Sequence, residues 1–350
     1  MSEKKTTKKR IVIEAMAMGY VPCGLREYTQ QVCPRLAELA PDDWELVFLV
    51  PRGYRGCFGP RAKYYEVAGS LGVHMLRNYP IMTADLFHPM HQLCRVKRLK
   101  LARRTLLTIH DVNFVYTRTG HKYEHSERRF LWRLHRATDL VFISQFARDD
   151  VAERFPFHLP WKVIPNGVTP PDLEGMKRPE GVPDGPFLFH LSSLVKYKNP
   201  HLLVEMMDSL PDRTLVMAGT NADDELKRMV AQRKNVVLLG ALGVAERNWL
   251  YSHCEAFLFP SIAEGFGLPP LEAMHCGKPV FLSTLTSLPE VGGDLAFYWP
   301  ELEPRKMARV LEEKLASPPD PEALKTWARS FSWDTTARSY IEYYKEILRQ

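Results

Sequence analysis

A stretch near the middle of the chain separates two similar patterns of short apolar and amphipathic runs, and it constrains the fold more than any other feature. Residues 169–186 contain five prolines and three glycines without helical or strand periodicity, a composition typical of a linker. The chain has 350 residues, which exceeds the roughly 100–200 residues of a usual domain. Together these observations predict two domains, one on each side of the stretch.

The alternation of strand and helix patterns starts at the N-terminus and begins again after this stretch. Short apolar strands that alternate with helices are typical of a parallel sheet covered on both faces. We therefore predict an α/β protein with two βαβ-type units, residues 1–168 and 186–332, and a linker over 169–185. The predicted strands are Arg10–Glu14, Trp44–Val50, Asp85–His88, Thr105–Ile109, Leu140–Ser144, Lys162–Ile164, Phe187–Leu191, Thr214–Ala218, Val236–Leu239, Ala256–Phe259 and Pro279–Leu282.

Composition narrows the class of protein. No apolar run reaches the ~18–20 residues that span a bilayer, and no apolar segment follows the basic N-terminus as it would in a signal peptide. The six cysteines are scattered without a C-x-x-C pair, which indicates free thiols in a reducing compartment. We therefore expect a cytoplasmic protein.

The formal charge is +6, and the densest basic run of the chain is Arg95–Arg104. One interpretation is a solvated loop and helix face. The other is a docking surface for an anionic membrane or a lipid-phosphate acceptor, which would place the protein peripherally on the inner membrane face. No nucleic-acid motif or interleaved aromatic pattern accompanies the charge, so we expect no nucleic-acid partner.

The segment from Phe259 to Glu272 carries the strongest chemical signal. A predicted strand ends at Phe259, Gly265 and Gly267 follow, and two prolines then start a helix. Glycines let a ligand approach the backbone, and N–H groups in front of a helix form an anion site that suits a pyrophosphate. The carboxylates of Glu264 and of Glu272, the latter on the first turn of the predicted helix, would accept hydrogen bonds from hydroxyl groups. These residues alone leave open both a nucleotide-sugar site and a structural turn.

The same segment resembles the retaining glycosyltransferase family 4. Its E-x7-E signature is matched by Glu264-Gly265-Phe266-Gly267-Leu268-Pro269-Pro270-Leu271-Glu272, and the resemblance continues through Val280 and over Ser287–Asp294. Shorter segments are similar to other motifs of the family: Ile109-His110-Asp111, Ile143-Ser144-Gln145-Phe146, Pro165-Asn166-Gly167-Val168 and Leu194-Val195-Lys196-Tyr197-Lys198-Asn199.

This resemblance implies the GT-B fold, in which two Rossmann-like domains face each other across a cleft. Residues 1–168 would bind the acceptor, 186–332 would bind the nucleotide sugar, and the segment 333–350, helical over Thr335–Arg349, would cross back to the first domain. The implied function is retaining transfer of a hexose from a nucleotide-diphosphate sugar to a glycan or lipid-linked acceptor in cell-surface polysaccharide synthesis. The family needs no metal, and no D-x-D pair follows an apolar strand here, so we expect no metal or other cofactor.

The resemblance also implies residue roles. Glu264 would hold sugar hydroxyls of the donor, Glu272 the ribose and Lys198 the diphosphate leaving group, while His110 would lie near the reacting carbon. His110, Lys198 and Glu264 form the expected catalytic set. The N–H groups that would contact the sugar and phosphate belong to Gly265, Phe266, Gly267 and Leu268.

Two positions depart from the family pattern. Ser193 stands where the family usually has a second phosphate-binding cation, an arginine, and the first loop keeps only one of its usual glycines, Gly24. Both positions belong to the expected donor site, and Arg26 is a candidate replacement for the missing charge. The alternatives are a nucleotide-sugar epimerase, a sugar phosphorylase, or a non-catalytic sugar-nucleotide binder on the same fold. Only the serine at position 193 favours the last of these.

Overall fold

The computed structural model describes residues 8–21 and 23–350, with Arg77 described by its main chain only. The chain divides into two compact units. The first consists of the residues up to Gly167 together with Ser332–Gln350, and the second of Val168–Phe331. The proline- and glycine-rich residues 169–185 are thus part of the second unit.

The described part of the first unit contains seven parallel strands in the order β3-β2-β1-β4-β5-β6-β7. The inner strand β1 is buried along Ile11–Ile13, as expected for a parallel strand whose two faces are both covered. The strands are β1 (Lys9–Glu14), β2 (Trp44–Pro51), β3 (Lys63–Val67), β4 (Thr83–Pro89), β5 (Leu101–Ile109), β6 (Asp139–Phe142) and β7 (Trp161–Val163). The helices are α1 (Gly24–Leu39), α2 (Gly69–Asn78), α3 (Phe114–Thr117), α4 (Gly120–Leu134) and α5 (Gln145–Arg154).

The second unit repeats this plan with six parallel strands in the order β10-β9-β8-β11-β12-β13. Its strands are β8 (Phe187–Leu191), β9 (Thr214–Ala218), β10 (Val236–Leu239), β11 (Ala256–Phe259), β12 (Val280–Ser283) and β13 (Phe297–Trp299). Its helices are α6 (Pro200–Met206), α7 (Asp224–Ala231), α8 (Val244–His253), α9 (Leu268–His275), α10 (Leu288–Gly292), α11 (Pro304–Leu315) and α12 (Pro321–Ser330).

In each sheet the strand order reverses beside the first strand of the unit. This reversal lies between β1 and β4 in the first unit and between β8 and β11 in the second. A crevice opens beyond the carboxyl ends of parallel strands at such a switch point, and ligands bind there. The topology therefore brings the loop after β8 next to the loop after β11. The two Rossmann-like units implied by the sequence are confirmed.

Residues 169–185 have no helix or strand but pack on α8. The side chain of Asn248 donates to the carbonyl of Asp172 over 3.0 Å, and the N–H of Lys177 donates to the carbonyl of Ala245 over 3.2 Å. The guanidinium of Arg178 lies 5.6 Å from the centroid of the Trp249 ring. The proline and glycine composition therefore marks irregular chain that is fixed to the second unit.

The last helix, α13 (Trp333–Arg349), belongs to the first unit and packs on α1 and β4, as predicted. Its start lies against the Pro165–Val168 motif, where Thr336 donates to the carbonyl of Pro165 over 2.7 Å. A Cβ atom at Gly167 would stand 2.1 Å from the nitrogen of Trp333. Only glycine allows the main chain of Trp333 to come this close, which gives a structural reason for the glycine of this motif.

The hydrophobic pattern of the sequence did not predict some of the strands and helices. The edge strand β3 and the helix α2 that follows it were not predicted, because both are half-exposed and lack a continuous apolar face. The short edge strand β13 was missed as well. The helix-face interpretation of the basic run is also wrong, since residues 95–100 form a loop and Leu101 already begins β5.

Candidate functional site

Two charged side chains meet at the switch point of the second unit. Lys198 ends a single 3₁₀ turn, Lys196–Lys198, after β8, and Glu264 lies in the loop after β11. The ammonium of Lys198 donates to a carboxylate oxygen of Glu264, and the two side chains keep only 13% and 11% of their exposure. The ring centroids of Tyr197 and Phe259 lie 5.0 and 5.5 Å from the ammonium. The lysine charge is thus held in one place by a carboxylate and by two aromatic rings.

Hydrogen bonds to main-chain carbonyls connect the loop that contains Lys198 with the loop that contains Glu264. Asn199 adopts a left-handed conformation with φ of 54°, which asparagine tolerates better than most residues, and its side chain donates to the carbonyl of Pro260 over 2.9 Å. The N–H of Ile262 donates to the carbonyl of Tyr197 over 2.9 Å. These bonds fix Lys198 and Glu264 through the chain on both sides of the pair.

The segment after β12 is hydrogen-bonded to the glycine-containing loop. The hydroxyl of Ser287 donates to the carbonyls of Glu264 and Phe266 over 3.2 and 2.7 Å. Gly267 has φ of +120°, and a Cβ atom there would meet a methyl of Leu288 at 3.0 Å. The loop therefore needs glycine at this position, and it leads directly into α9 at Leu268. Because Pro269 and Pro270 have no N–H group, the donors that an anion could meet at the start of α9 are the N–H groups of Leu268 and of the loop before it.

Glu272 lies on α9 with 14% of its side chain exposed, and the guanidinium of Arg247 on α8 is 3.6 Å away. Because α9 begins at Leu268, Glu272 occupies the second turn. The placement of this residue on the first turn was therefore wrong. A role in balancing the helix dipole is correspondingly weaker, because that effect falls off within the first turn.

Sequence reasoning missed His190, which organises the loop that contains Ser193. His190 is buried at the end of β8, its Nδ1 is 2.8 Å from the carbonyl of Leu258, and its Nε2 is 2.8 Å from the hydroxyl of Ser192. Burial lowers the pKa of His190 to about 4, so the ring is neutral at physiological pH. A histidine near the end of an apolar strand was the available signal. The loop at Ser193 is thereby shaped by neutral hydrogen bonds.

In the first unit, His110 follows β5 and is buried. Its main-chain N–H donates to the side-chain oxygen of Gln92 over 3.0 Å, and its Nε2 lies 3.0 Å from the carbonyl of Met90. Burial lowers the pKa of His110 to about 4. The neutral ring therefore donates from Nε2 to Met90, which leaves Nδ1 as its acceptor nitrogen.

Gly24 is the first residue of α1, and a Cβ atom added there would meet no atom of the described chain within 4 Å. The fold of the unit therefore does not itself require glycine at this position. Arg26 donates to the carbonyl of Tyr20 over 3.0 Å. In the described part of the chain, His201, Asp223 and Glu225 have ligand atoms within 4.8 Å of one another, but Asp223 already caps α7.

Two family profiles match the chain. The profile described as Glycosyltransferase Family 4 matches residues 32–170, and the profile described as Glycosyl transferases group 1 matches residues 174–331. A serotype-specific mannosyltransferase WbdA of Escherichia coli is 32% identical over 194 residues, which are 51% of this chain but 24% of that protein. The chain thus corresponds to about a quarter of that relative. The O-antigen chain mannosyltransferase B of Escherichia coli is 27% identical over 278 residues, 69% of this chain and 70% of the relative.

Solved structures share the fold at low identity. A sucrose-phosphate synthase from Thermosynechococcus elongatus has a TM-score of 0.74 and 17% identity, with 98% of this chain and 100% of that chain covered. HepE from Anabaena, solved in complex with UDP-glucose, has a TM-score of 0.70 and 17% identity, with 96% and 99% covered. These likenesses extend over nearly the whole of each chain and concern the fold alone.

Proposed function

Because this chain belongs to the group 1 glycosyltransferases of the GT-B fold, we propose that it is a retaining enzyme that transfers a hexose from a nucleotide-diphosphate sugar. The acceptor is a glycan or lipid-linked sugar in cell-surface polysaccharide synthesis. The names of the relatives, which are mannosyltransferases of serotype and O-antigen chains, favour mannose as the hexose.

One observation carries this proposal: the pairing of Lys198 with Glu264 beside the N-terminus of α9. A departing diphosphate needs fixed positive charge and dipoles, and Lys198 with the N–H groups of the loop supplies both. The sugar needs acceptors for its hydroxyl groups, which Glu264 supplies. Glu272, with Arg247 beside it, is an acceptor for the ribose hydroxyls. No step of this assignment needs a metal or a cofactor.

The acceptor nitrogen of His110 gives the first unit a group for a sugar hydroxyl. Since the pKa of His110 is lowered to about 4, its ring stays neutral across the working pH range. We assign it to orientation of the transferred sugar near the reacting carbon. It cannot donate a proton from Nε2 without losing its bond to Met90.

The test is turnover with a panel of nucleotide sugars that combine guanosine or uridine diphosphate with mannose or glucose. We expect release of the nucleoside diphosphate that depends on added acceptor and yields an α-linked product from an α-linked donor, read by NMR. An inverted linkage would exclude the retaining assignment. Interconversion of two nucleotide sugars without acceptor would indicate an epimerase, and binding of every donor without turnover a non-catalytic binder.

Membrane contact through the basic run forms the second part of the proposal. Arg95, Lys100 and Arg103 are exposed in this run, whereas Arg104 forms a bidentate ion pair with the buried Asp139. Exposed cations near a surface attract anionic lipid headgroups by about 1 kcal/mol each. We therefore assign the docking charge mainly to these three exposed residues; Lys97 and Arg98 are half-buried. Among the described residues, no helix combines the length and apolar character needed to cross a membrane.

The combined variant Arg95→Gln, Lys100→Gln, Arg103→Gln should lose binding to phosphatidylglycerol vesicles at low salt while turnover of a soluble acceptor stays unchanged. The matched control removes the same charge from exposed lysines of the second unit: Lys227→Gln, Lys306→Gln, Lys314→Gln. If both variants lost vesicle binding equally, the binding would depend on the net charge of the protein and not on this surface. If the unaltered protein did not bind these vesicles, the proposed membrane contact would be refuted.

A further inference from the structure

The ring of His110 packs against a tyrosine of the first helix. Tyr28, on α1, lies with its ring centroid 4.6 Å from that of His110, and the two ring planes are perpendicular. Both residues are buried. An edge-to-face contact at this distance fixes the tilt of the imidazole about the axis that its hydrogen bond to Met90 leaves free.

The hydroxyl of Tyr28 continues into a buried polar network that reaches the C-terminal helix. Tyr28 donates to the hydroxyl of Tyr340 on α13 over 2.6 Å, although the two residues are 312 positions apart. The hydroxyl of Tyr340 lies 3.0 Å from that of Thr108, which in turn lies 2.8 Å from Nε2 of His88. Nδ1 of His88 is hydrogen-bonded to the hydroxyl of Tyr344, also on α13.

One direction of donation is consistent with all four contacts of this network. Tyr28 donates to Tyr340, Tyr340 to Thr108, and Thr108 to Nε2 of His88, while Nδ1 of His88 donates to Tyr344. This requires a neutral His88, and burial does lower its pKa to about 3. A buried hydrogen-bonded network restricts the arrangement of its side chains, whereas an apolar core of the same volume would tolerate several.

The network is adjacent to His110, both along the chain and through a ring contact. Thr108 is two residues before His110 on β5, and Tyr28 contacts both Tyr340 and the His110 ring. We propose that Tyr28 and Tyr340 are positioning residues for His110, so that α13, the last helix of the chain, sets the orientation of a ring in the acceptor-binding unit. This inference rests on the proposed role of His110 in orienting the transferred sugar.

The competing explanation is that the two tyrosines only stabilise the unit. The explanations separate in a double-mutant cycle, because a positioning residue acts on turnover only while its target is present. Tyr28→Leu should lower kcat roughly 10- to 100-fold, since a misplacement of about 1 Å near the chemistry costs up to about 100-fold. In the His110→Ala background the same change should leave kcat within about twofold, while it lowers Tm in both backgrounds.

Tyr340→Phe provides a second variant that keeps the ring and the packing. It should lower kcat several-fold, and Tyr343→Phe is its matched control. Tyr343 is on the same helix, and its hydroxyl has no hydrogen-bond partner within the described chain. If Tyr28→Leu fails to fold, Tyr340→Phe in the presence and absence of His110 completes the cycle.

An activity-independent readout is the NMR signal of the His110 ring nitrogens, assigned by its loss in His110→Ala. Tyr28→Leu should shift or broaden this signal, and Tyr343→Phe should leave it in place. An equal fall in kcat with and without His110, or an unmoved ring signal, would overturn the inference. An unaltered protein that turns over no nucleotide sugar would instead refute the proposed function, and a moved ring signal would then still show the positioning contact.

Discussion

Replacing Lys198 by methionine removes the side-chain cation that is paired with Glu264 at the switch point. The side chains of the pair keep only 13% and 11% of their exposure, so water screens them weakly. Loss of one oriented charge on a leaving group typically costs about 3 kcal/mol in the transition state. This corresponds to a fall in kcat on the order of 100-fold.

The same change leaves Glu264 without its cation, which should also reduce stability. Removing one partner of a buried ion pair costs about 3–5 kcal/mol, and this pair, which keeps some exposure, should lie at or below the lower end. The double variant Lys198→Met, Glu264→Gln leaves no unpaired charge. Its stability should therefore recover while its turnover stays low, so that the two effects of Lys198 separate.

The assay is steady-state release of nucleoside diphosphate at saturating acceptor, with urea unfolding run in parallel. Lys196→Met is the matched control because Lys196 lies in the same 3₁₀ turn and is exposed. It should keep kcat within about twofold. The reasoning is refuted if folded Lys198→Met protein keeps a third or more of its turnover, or if Lys196→Met shows the larger loss.

Three further outcomes follow from the site and the core. Glu264→Gln should mainly lower kcat, and Glu272→Gln should mainly raise the donor KM, because only the first would face the sugar on which charge develops; equal effects in steady-state kinetics would contradict these roles. Gly267→Ala should lower Tm through its φ of +120°, whereas Gly24→Ala should leave Tm unchanged. Burial lowers the pKa values of His88, His91 and His110 to about 3, 3 and 4 and raises that of Glu14 to about 7. Between about pH 6.5 and 4.5, unfolding therefore takes up three protons at the histidines and releases one from the carboxyl group, so that the free energy of unfolding of the first unit should fall by up to about 2.7 kcal/mol per pH unit. Urea unfolding that does not depend on pH would refute this.

The sequence indicated Lys198 and Glu264, the pair that we propose for the donor site, but not the contacts that hold the two residues in place. Lys198 and Glu264 each lie after an apolar strand and before a glycine- or proline-marked helix start, but the family resemblance was needed to single out both as site residues. Their meeting depends on the order of strands in the sheet, which the family resemblance implied. The bonds made by Asn199 and Ser287 join segments about 20 to 60 residues apart, and no local periodicity encodes such contacts.

The limits of patterning are clearest in the first unit. The periodicity of Thr335–Arg349 predicts a helix with an apolar face, but it does not show that Tyr340 reaches Tyr28 across 312 positions. One of the two interpretations of Arg95–Arg104 included a helix face, whereas residues 95–100 form a loop and β5 begins at Leu101. A cationic segment that starts a strand has no apolar alternation in its exposed half, so its periodicity carries no signal.

The pairing of Lys198 with Glu264 also bears on the missing arginine at Ser193. A nucleotide diphosphate brings about two negative charges, whereas the carboxylate already balances the lysine. The N-terminus of α9 contributes at most the equivalent of about half a positive charge, because Pro269 and Pro270 have no N–H group. The nearest cation to the expected ribose carboxylate, Arg247, is 3.6 Å from Glu272. We therefore expect main-chain N–H donors to carry a larger share of leaving-group stabilisation here than in relatives with the arginine, and the loss of Lys198 to be correspondingly hard to compensate.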